Sequence, residues 1–212
     1  MSLGAFGGYL TVGFDHSVAS LAVAGNQFTG SSEPGVVWVM QDVNGNGKPD
    51  DQWYRLKGSE YGNKSVYEDY QVTYYKPSAD GADVAWKDNK GNSGKVPYMG
   101  QYHTQPSYFP AWVTEDAYTL SGVRLPARVS QDKQTGQWVF DSYAWGYVDN
   151  CGQDTQNRKT SFKLGNAIGP DGKEVYVQYV DFVKVQSAVQ ATAGWTGEVS
   201  TDVTGFYDQA LE

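Results

Sequence analysis

The sequence is poor in the residue types that build disulfide frameworks, zinc centres and nucleic-acid surfaces. It contains one cysteine, Cys151, and two histidines among its 212 residues. A single cysteine cannot form an internal disulfide, and these three side chains are too few for an ordinary zinc site. Lysine and arginine number 16 against 24 aspartates and glutamates, which gives a net charge of −8. This acidic balance argues against nucleic-acid binding, because duplex binding depends on neutralising phosphates with basic side chains.

Long hydrophobic runs are also absent. No apolar segment approaches the roughly 18 residues that a membrane-spanning helix needs, and the chain does not begin with the charged and apolar segments of a signal peptide. Met1-Ser2-Leu3 is typical of residues left by an expression vector, so we expect these three residues to be foreign to the natural protein. The sequence predicts no membrane span.

Short β segments separated by turn residues make up most of the chain. Residues 36–41 form a continuous apolar run of strand length, which is expected when both faces of a strand are covered. No window carries a clean helical stripe, and 25 glycines supply turn positions. The pattern predicts an all-β fold: one β-sandwich domain over residues 1–212, jelly-roll-like, with long aromatic-rich loops and at most short helices. The other strand signals cover residues 8–14, 70–75, 138–140, 143–148 and 174–185.

One loop motif indicates a specific chemistry. The segment DVNGNGKPDD, residues 42–51, places oxygen-bearing side chains at loop positions 1, 3 and 5, Gly47 at position 6 and an acid at position 9. This spacing is typical of an EF-hand calcium loop, in which alternate residues turn their oxygens toward one centre. Position 12 is Trp53, where an EF-hand has glutamate, so another acid must complete the shell. We therefore predict a structural Ca²⁺ ion bound by Asp42, Asn44, Asn46, the carbonyl of Lys48, Asp50, Asp51 and Asp181; the alternative is a plain Asn/Gly turn.

Two acids outside this loop are candidates for further ligands. Asp181 falls in an apolar row of the last long strand, so its carboxylate requires a cation, an arginine or backbone amides as a partner. Glu33 lies in a loop before the strand that leads to Asp42, and a solvated turn position is the favoured interpretation for it.

Aromatic residues are concentrated in a stretch with few strand signals, residues 77–110, and long loops of this kind are usually functional or disordered. Exposed rings offer flat apolar faces for a sugar or a macrocycle. The alternative is that the rings pack the loops onto the sandwich. The predicted ligand-binding residues are Tyr98, Tyr102, His103, Tyr108, Trp112 and Trp145.

Signals for catalysis are weak by comparison. The chain has no Gly-x-Ser-x-Gly elbow, phosphate-binding loop or dinucleotide fingerprint. Paired carboxylates of a glycoside hydrolase stay open as an alternative, with Glu60, Glu115, Asp149 and Glu198 as the first acids to compare. A purely architectural module is the third alternative.

Several strings resemble a known family. They are GFDHSV at 13–18, the long segment at 30–62 that contains the acidic loop, VTYYKP at 72–77, DNKGNSG at 88–94, YVDFVKVQSAV at 179–189 and GWTGEVSTDVTGF near the C-terminus. Together they are similar to cell-surface lipoproteins of Bacteroidetes described as PKD-domain-containing surface proteins, whose genes lie near outer-membrane uptake systems, including corrinoid-uptake loci. The resemblance implies a protein of the cell surface or outer membrane, anchored by a segment that precedes this chain, with other uptake components as partners. It also implies an Asp-x-Asn-x-Asn-Gly loop at Asp42, and it provides no catalytic residues.

Together, these observations predict a non-catalytic, calcium-stabilised module that captures a nutrient such as a glycan or a corrinoid.

Overall fold

The computed structural model describes residues 1–4, 7–194 and 197–211. Within these residues, antiparallel β-strands account for nearly all regular structure, and the two helices are single 3-10 turns at Leu164–Asn166 and Gln209–Leu211. The strands are β1 (Tyr9–Val18), β2 (Leu21–Ala24), β3 (Gly35–Met40), β4 (Trp53–Leu56), β5 (Tyr67–Tyr75), β6 (Val84–Asp88), β7 (Ser93–Val96), β8 (Ala117–Arg124), β9 (Val129–Gln131), β10 (Trp138–Phe140), β11 (Thr155–Gln156), β12 (Lys159–Phe162), β13 (Ala167–Ile168), β14 (Val180–Ser187) and β15 (Gly205–Asp208).

A β-sandwich lies at the centre of the fold. Its first sheet has the strand order β1-β14-β3-β4-β13, and its second has the order β11-β12-β2-β15. Successive side chains of a strand point to opposite faces, so every second residue of the central strands faces the second sheet. Val39 pairs with Val183 in this register, and both are buried in one core with Leu21 of β2. The all-β prediction is confirmed, and the facing sheets form the expected sandwich.

A third sheet, of order β7-β6-β5-β8, covers part of the other face of the five-stranded sheet. Gln186 of β14 donates a side-chain hydrogen bond to the carbonyl of Ser121 in β8, at 3.1 Å. The strands approach so closely that a side chain at Gly122 would collide with the Gln186 carboxamide. Val36 of β3 packs in the same core cluster as Val123 of β8. Strand β3 is therefore buried on both faces, which explains its continuous apolar run.

The third sheet has its own core. Tyr70, Val72 and Tyr74 alternate along β5 and pack against Phe109 and Val113 of the loop that precedes β8. The outer face of this sheet is polar and exposed. The sheet thus buries one face under its own loop and leaves the other in solvent, as antiparallel sheets commonly do.

The structure differs from the sequence predictions in three segments. Residues 77–110 contain the hairpin β6–β7, so the aromatic loop is shorter and runs from residue 97 to 116. Residues 143–148 form a bend followed by an isolated bridge of Val148 to Gly35, not a strand, and the last long strand begins at Val180 instead of residue 174. No helix among the described residues has the length and hydropathy to cross a membrane.

The sandwich core predicts a large stability difference between two leucines. Leu21 is fully buried in β2, so Leu21→Ala should lower the free energy of unfolding by roughly 2–5 kcal/mol through lost burial and an unfilled cavity. Leu211→Ala is the matched control, because that side chain is 75% exposed and should change stability by less than about 0.5 kcal/mol. Urea unfolding monitored by tryptophan fluorescence measures both. Equal effects would contradict the assignment of this core.

Candidate functional site

The loop between β3 and β4 folds around its own acidic and amide side chains. The carboxylate of Asp42 accepts hydrogen bonds from the backbone amides of Asn46 (3.1 Å) and Gly47 (2.8 Å). Asn46 donates its side-chain amide to both oxygens of Asp50, at 3.1 and 3.0 Å, and Asn44 donates to one of them at 3.3 Å. Gly47 has φ +70°, a conformation that favours glycine, as the motif predicts. The structure therefore brings Asp42, Asn44, Asn46 and Asp50 together.

The other three predicted metal ligands take different roles. Asp51 accepts the backbone amide of Val43 at 2.9 Å, so its carboxylate holds the start of the loop. The carbonyl of Lys48 accepts the amide of Asp50 at 2.9 Å. Asp181 accepts the amide of Asp42 at 2.8 Å, so this carboxylate anchors the loop to β14 through a backbone amide.

The loop fits a cation in part. Two carboxylates and two amide side chains converge in it, which are hard oxygen ligands of the kind that calcium prefers. In the arrangement described, however, the Asp50 carboxylate is held by amide nitrogens. Across the described residues, no group of three or more His, Cys, Asp or Glu side chains is arranged to hold a metal ion. Binding would therefore require the Asn44 and Asn46 amides to turn their oxygens inward.

The aromatic residues of the 97–116 loop mostly pack against one another. Tyr98 and Tyr108 have ring centroids 5.0 Å apart, and His103 meets Tyr108 edge-on at 6.0 Å. The Tyr108 hydroxyl accepts the amide of Met99 and donates to the carbonyl of His103, so this ring ties the loop together. These contacts favour the packing alternative for Tyr98, His103 and Tyr108.

Only some of the predicted ligand-binding rings are open to solvent. Tyr102 is 48% exposed and Trp112 is 71% exposed, with Trp112 edge-on against Tyr118 of β8. Trp145 lies in another part of the chain, where its carbonyl accepts the amide of Ser59. The contacts described thus join Tyr98, His103 and Tyr108, whereas Trp112 and Trp145 contact other residues.

A cleft that the sequence did not predict opens between the start of β5, the β6–β7 hairpin and the end of β8. Its volume is about 440 Å³. The Tyr67 ring stacks on Tyr70 at 6.1 Å, and the Arg124 guanidinium lies 5.2 Å from the centre of the Tyr70 ring. The lining residues are Ser65, Tyr67, Trp86, Asn92, Arg124, Leu125, Pro126 and Ala127.

Asp88 contacts two polar residues of the cleft lining, Asn92 and Arg124. It accepts the backbone and side-chain amides of Asn92, at 2.7 and 2.9 Å, and lies 3.7 Å from Arg124. Burial acts to raise the pKa of Asp88, but the hydrogen bonds from Asn92 and from the amide of Lys90 outweigh it and leave that pKa below its ordinary value. The carboxylate thus stays ionised and fixes Arg124 and Asn92. No local pattern reveals this site, because Tyr67 and Arg124 meet only through pairing of β5 with β8.

The acids considered for hydrolysis each have another partner or lie in solvent. Glu60 pairs with Arg128 at 2.9 Å, Glu198 lies 3.6 Å from His103, and Glu115 is exposed in the loop before β8. Asp149 is fully buried, and its carboxylate accepts the backbone amides of Asn26 and Asp202. None of these four lines the cleft.

Glu33 has a structural role in place of the solvated one favoured by the sequence. Its carboxylate accepts the amide of Ser200 at 2.9 Å, and burial, with a contribution from the charge of Asp149, raises its pKa to about 7. Burial likewise raises the pKa of Asp149 to about 6. These two carboxylates therefore hold the backbone of residues 200–202 against the sandwich.

Raised carboxylate pKa values predict that stability falls as pH rises. The folded chain keeps the Glu33 proton up to about pH 7, whereas the unfolded chain releases it near the ordinary value of 4.5. Glu33→Gln should therefore raise the free energy of unfolding by roughly 1–3 kcal/mol near pH 8 and leave it nearly unchanged near pH 4. Urea titrations across this range test it, with the exposed Glu115→Gln as control. An unchanged pH slope in Glu33→Gln would contradict the assignment.

Comparison with known proteins adds no family to this description. No model of a protein family matches the chain, and no curated protein matches it.

Proposed function

We propose that this chain is a non-catalytic ligand-binding module, and that its ligand occupies the cleft between β5, the β6–β7 hairpin and β8. The observation that carries the proposal is the lining of the cleft, which combines two aromatic residues with an arginine and an amide side chain. Binding sites for small molecules are typically concave and lined by aromatic groups, with a few polar groups that orient the ligand. This lining matches that description.

The ligand class follows from these groups. A glycan or a corrinoid offers flat apolar faces for Tyr67 and Trp86, together with peripheral groups that hydrogen-bond to Asn92 and Arg124. Arg124 is fixed before binding by Asp88 and Tyr70, so little side-chain freedom is lost when a ligand arrives. Location at the cell surface, with uptake components as partners, rests on the family resemblance of the sequence.

Binding is favoured over hydrolysis by the same lining. Glycosidases place two carboxylic groups on either side of the scissile bond. The residues that line the cleft include no aspartate or glutamate. The cleft therefore offers no acid and base pair for that reaction.

We propose further that Ca²⁺ stabilises the module at the loop of Asp42, Asn44, Asn46 and Asp50. The support is that the Asn44 and Asn46 amides meet Asp50, that Asp42 holds the backbone of the same loop, and that the motif has EF-hand-like spacing. Asp181 would hold the loop in place through the amide of Asp42. The ion would replace the amide nitrogens that now hold Asp50.

The calcium proposal predicts a metal-dependent melting temperature. At about 100 times the dissociation constant, Ca²⁺ should add roughly 2.7 kcal/mol, which corresponds to a rise of about 5–10 °C for a chain of this size. Asp50→Asn should abolish the rise, whereas Asp80→Asn, at an exposed acid of another loop, should keep it. Calorimetry in EDTA, in Ca²⁺ and in Mg²⁺ measures the effect. Identical melting in EDTA and Ca²⁺ would refute it.

The binding proposal predicts that Tyr67 is required for affinity. Tyr67→Ala removes a ring that is 38% exposed at the cleft and should weaken binding at least tenfold, because a stacked ring contributes about 1.5 kcal/mol or more. Tyr176→Ala is the matched control, since this ring is 84% exposed and is not part of the cleft lining. Titration calorimetry against panels of neutral glycans and corrinoids provides the measurement. If the folded wild-type protein bound neither class of ligand, the binding proposal would be refuted.

A further inference from the structure

The half-buried lysine at the centre of the five-stranded sheet differs from the ion-paired basic side chains of this acidic protein. Lys184 lies on β14, on the face away from the sandwich core, and its ammonium group forms no hydrogen bond or ion pair in the part of the chain that the structure describes. Other basic side chains, by contrast, form ion pairs with aspartate or glutamate, namely Arg55, Lys57, Lys90, Arg124, Arg128 and Lys173. A half-buried ammonium group without an anionic partner is costly, so its surroundings require an explanation.

Aromatic rings surround this ammonium group. Its nitrogen lies 4.5 Å from the ring centre of Trp38, 5.4 Å from that of Trp53 and 5.9 Å from that of Tyr9. We call these four side chains the Lys184 platform. Cation–π attraction offsets part of the lost hydration. Burial lowers the pKa of Lys184.

The sheet register gives the platform an elongated shape. Tyr9, Lys184, Trp38 and Trp53 lie on four adjacent strands, in the order β1-β14-β3-β4. Three strand spacings amount to roughly 14 Å, which suits an extended chain of rings better than a single small ion. Tyr9 is 52% exposed, and none of the other three side chains is fully buried.

We propose that the Lys184 platform binds an acidic sugar chain, in which a ring carboxylate pairs with the Lys184 ammonium and neighbouring pyranose rings lie against Tyr9 and Trp53. The carboxylate would be an anionic partner for the ammonium group, and the sugar rings would cover the exposed aromatic surface on either side. The proposal does not rest on the cleft, whose lining shares no residue with the platform.

An acidic peptide fits this surface less well. Extended peptides bind sheets by adding a strand to a free edge, where backbone amides and carbonyls are available. Lys184 and Trp38 lie on β14 and β3, and each of these strands is paired on both sides. A sugar chain needs no backbone ladder, so the interior of a sheet can receive it.

The first experiment uses the unmodified protein. Tetragalacturonate is titrated into protein labelled with ¹⁵N, and the indole N–H signals of the tryptophans are followed by NMR. The proposal predicts that the signals of Trp38 and Trp53 shift with one dissociation constant while the signal of Trp86, in the cleft, does not. The methyl ester of the same oligosaccharide, which lacks the charge, should bind at least tenfold more weakly. Equal binding of acid and ester, or shifts confined to Trp86, would overturn the proposal.

Variants test whether Lys184 is the basic side chain that binds the carboxylate. Lys184→Gln should weaken tetragalacturonate binding roughly ten- to a hundredfold, the usual range for a lost charge-assisted hydrogen bond. Lys184→Arg should retain most of the affinity, and Tyr9→Ala should lose part of it. Lys87→Gln, which removes an exposed lysine from β6, is the matched control and should bind as the wild type does. Equal losses in Lys184→Gln and Lys87→Gln would show a general charge effect and refute the platform.

Tyr67→Ala separates this proposal from the proposed function. The platform predicts unchanged tetragalacturonate binding in this cleft variant. Loss of the acid-specific binding in Tyr67→Ala, with no change in Lys184→Gln, would place the ligand in the cleft and overturn the platform. Failure of neutral glycans and corrinoids to bind the cleft would leave the prediction for the platform unchanged.

Discussion

The burial of β3 and β14 on one face, with partial burial on the other, is the constraint on which the rest of the structure depends. These strands pair at the centre of the five-stranded sheet, with the second sheet of the sandwich on one face and part of the third sheet on the other. Valine fills the first face because alternate residues interdigitate there with β2. The second face is only partly covered, so it tolerates the mixed set of Gln186, Lys184 and Trp38. Lys184 lies on the part of that face that the third sheet does not cover.

The same strand pair positions the acidic loop. Met40 pairs with Phe182 at the end of β3, so the antiparallel register continues toward Asp42 and Asp181. Asp181 then accepts the amide of Asp42, which fixes the start of the loop. The alternating oxygens of the motif are a local property of residues 42–51, but their attachment to the sandwich depends on a residue about 140 positions away in the chain.

Some aromatic residues pack the loops and others border the cleft, and the aromatic content of the sequence does not distinguish the two groups. In the 97–116 loop, Tyr108 uses its hydroxyl to close hydrogen bonds to the backbone and its ring to contact Tyr98 and His103. A long loop leaves many polar backbone groups to satisfy, and tyrosine supplies both apolar area and a hydrogen-bonding tip. Tyr67, whose ring borders the cleft, instead lies at the start of β5, outside the strand that the sequence predicts over residues 70–75.

The sequence by itself determined the features that depend on near neighbours. Alternation, turn residues and the absence of helical periodicity led to an all-β sandwich, residues 138–140 were predicted as a strand with the bounds that the structure has, and the spacing of residues 42–50 predicted a loop whose side chains converge. Tertiary structure alone decided which residues face one another across long separations. The pairing of β5 with β8 created the cleft of Tyr67 and Arg124, and the order β1-β14-β3-β4 gathered three aromatic rings around Lys184. Strand order and register are set by burial summed over whole sheets, and no local pattern of residues encodes that sum.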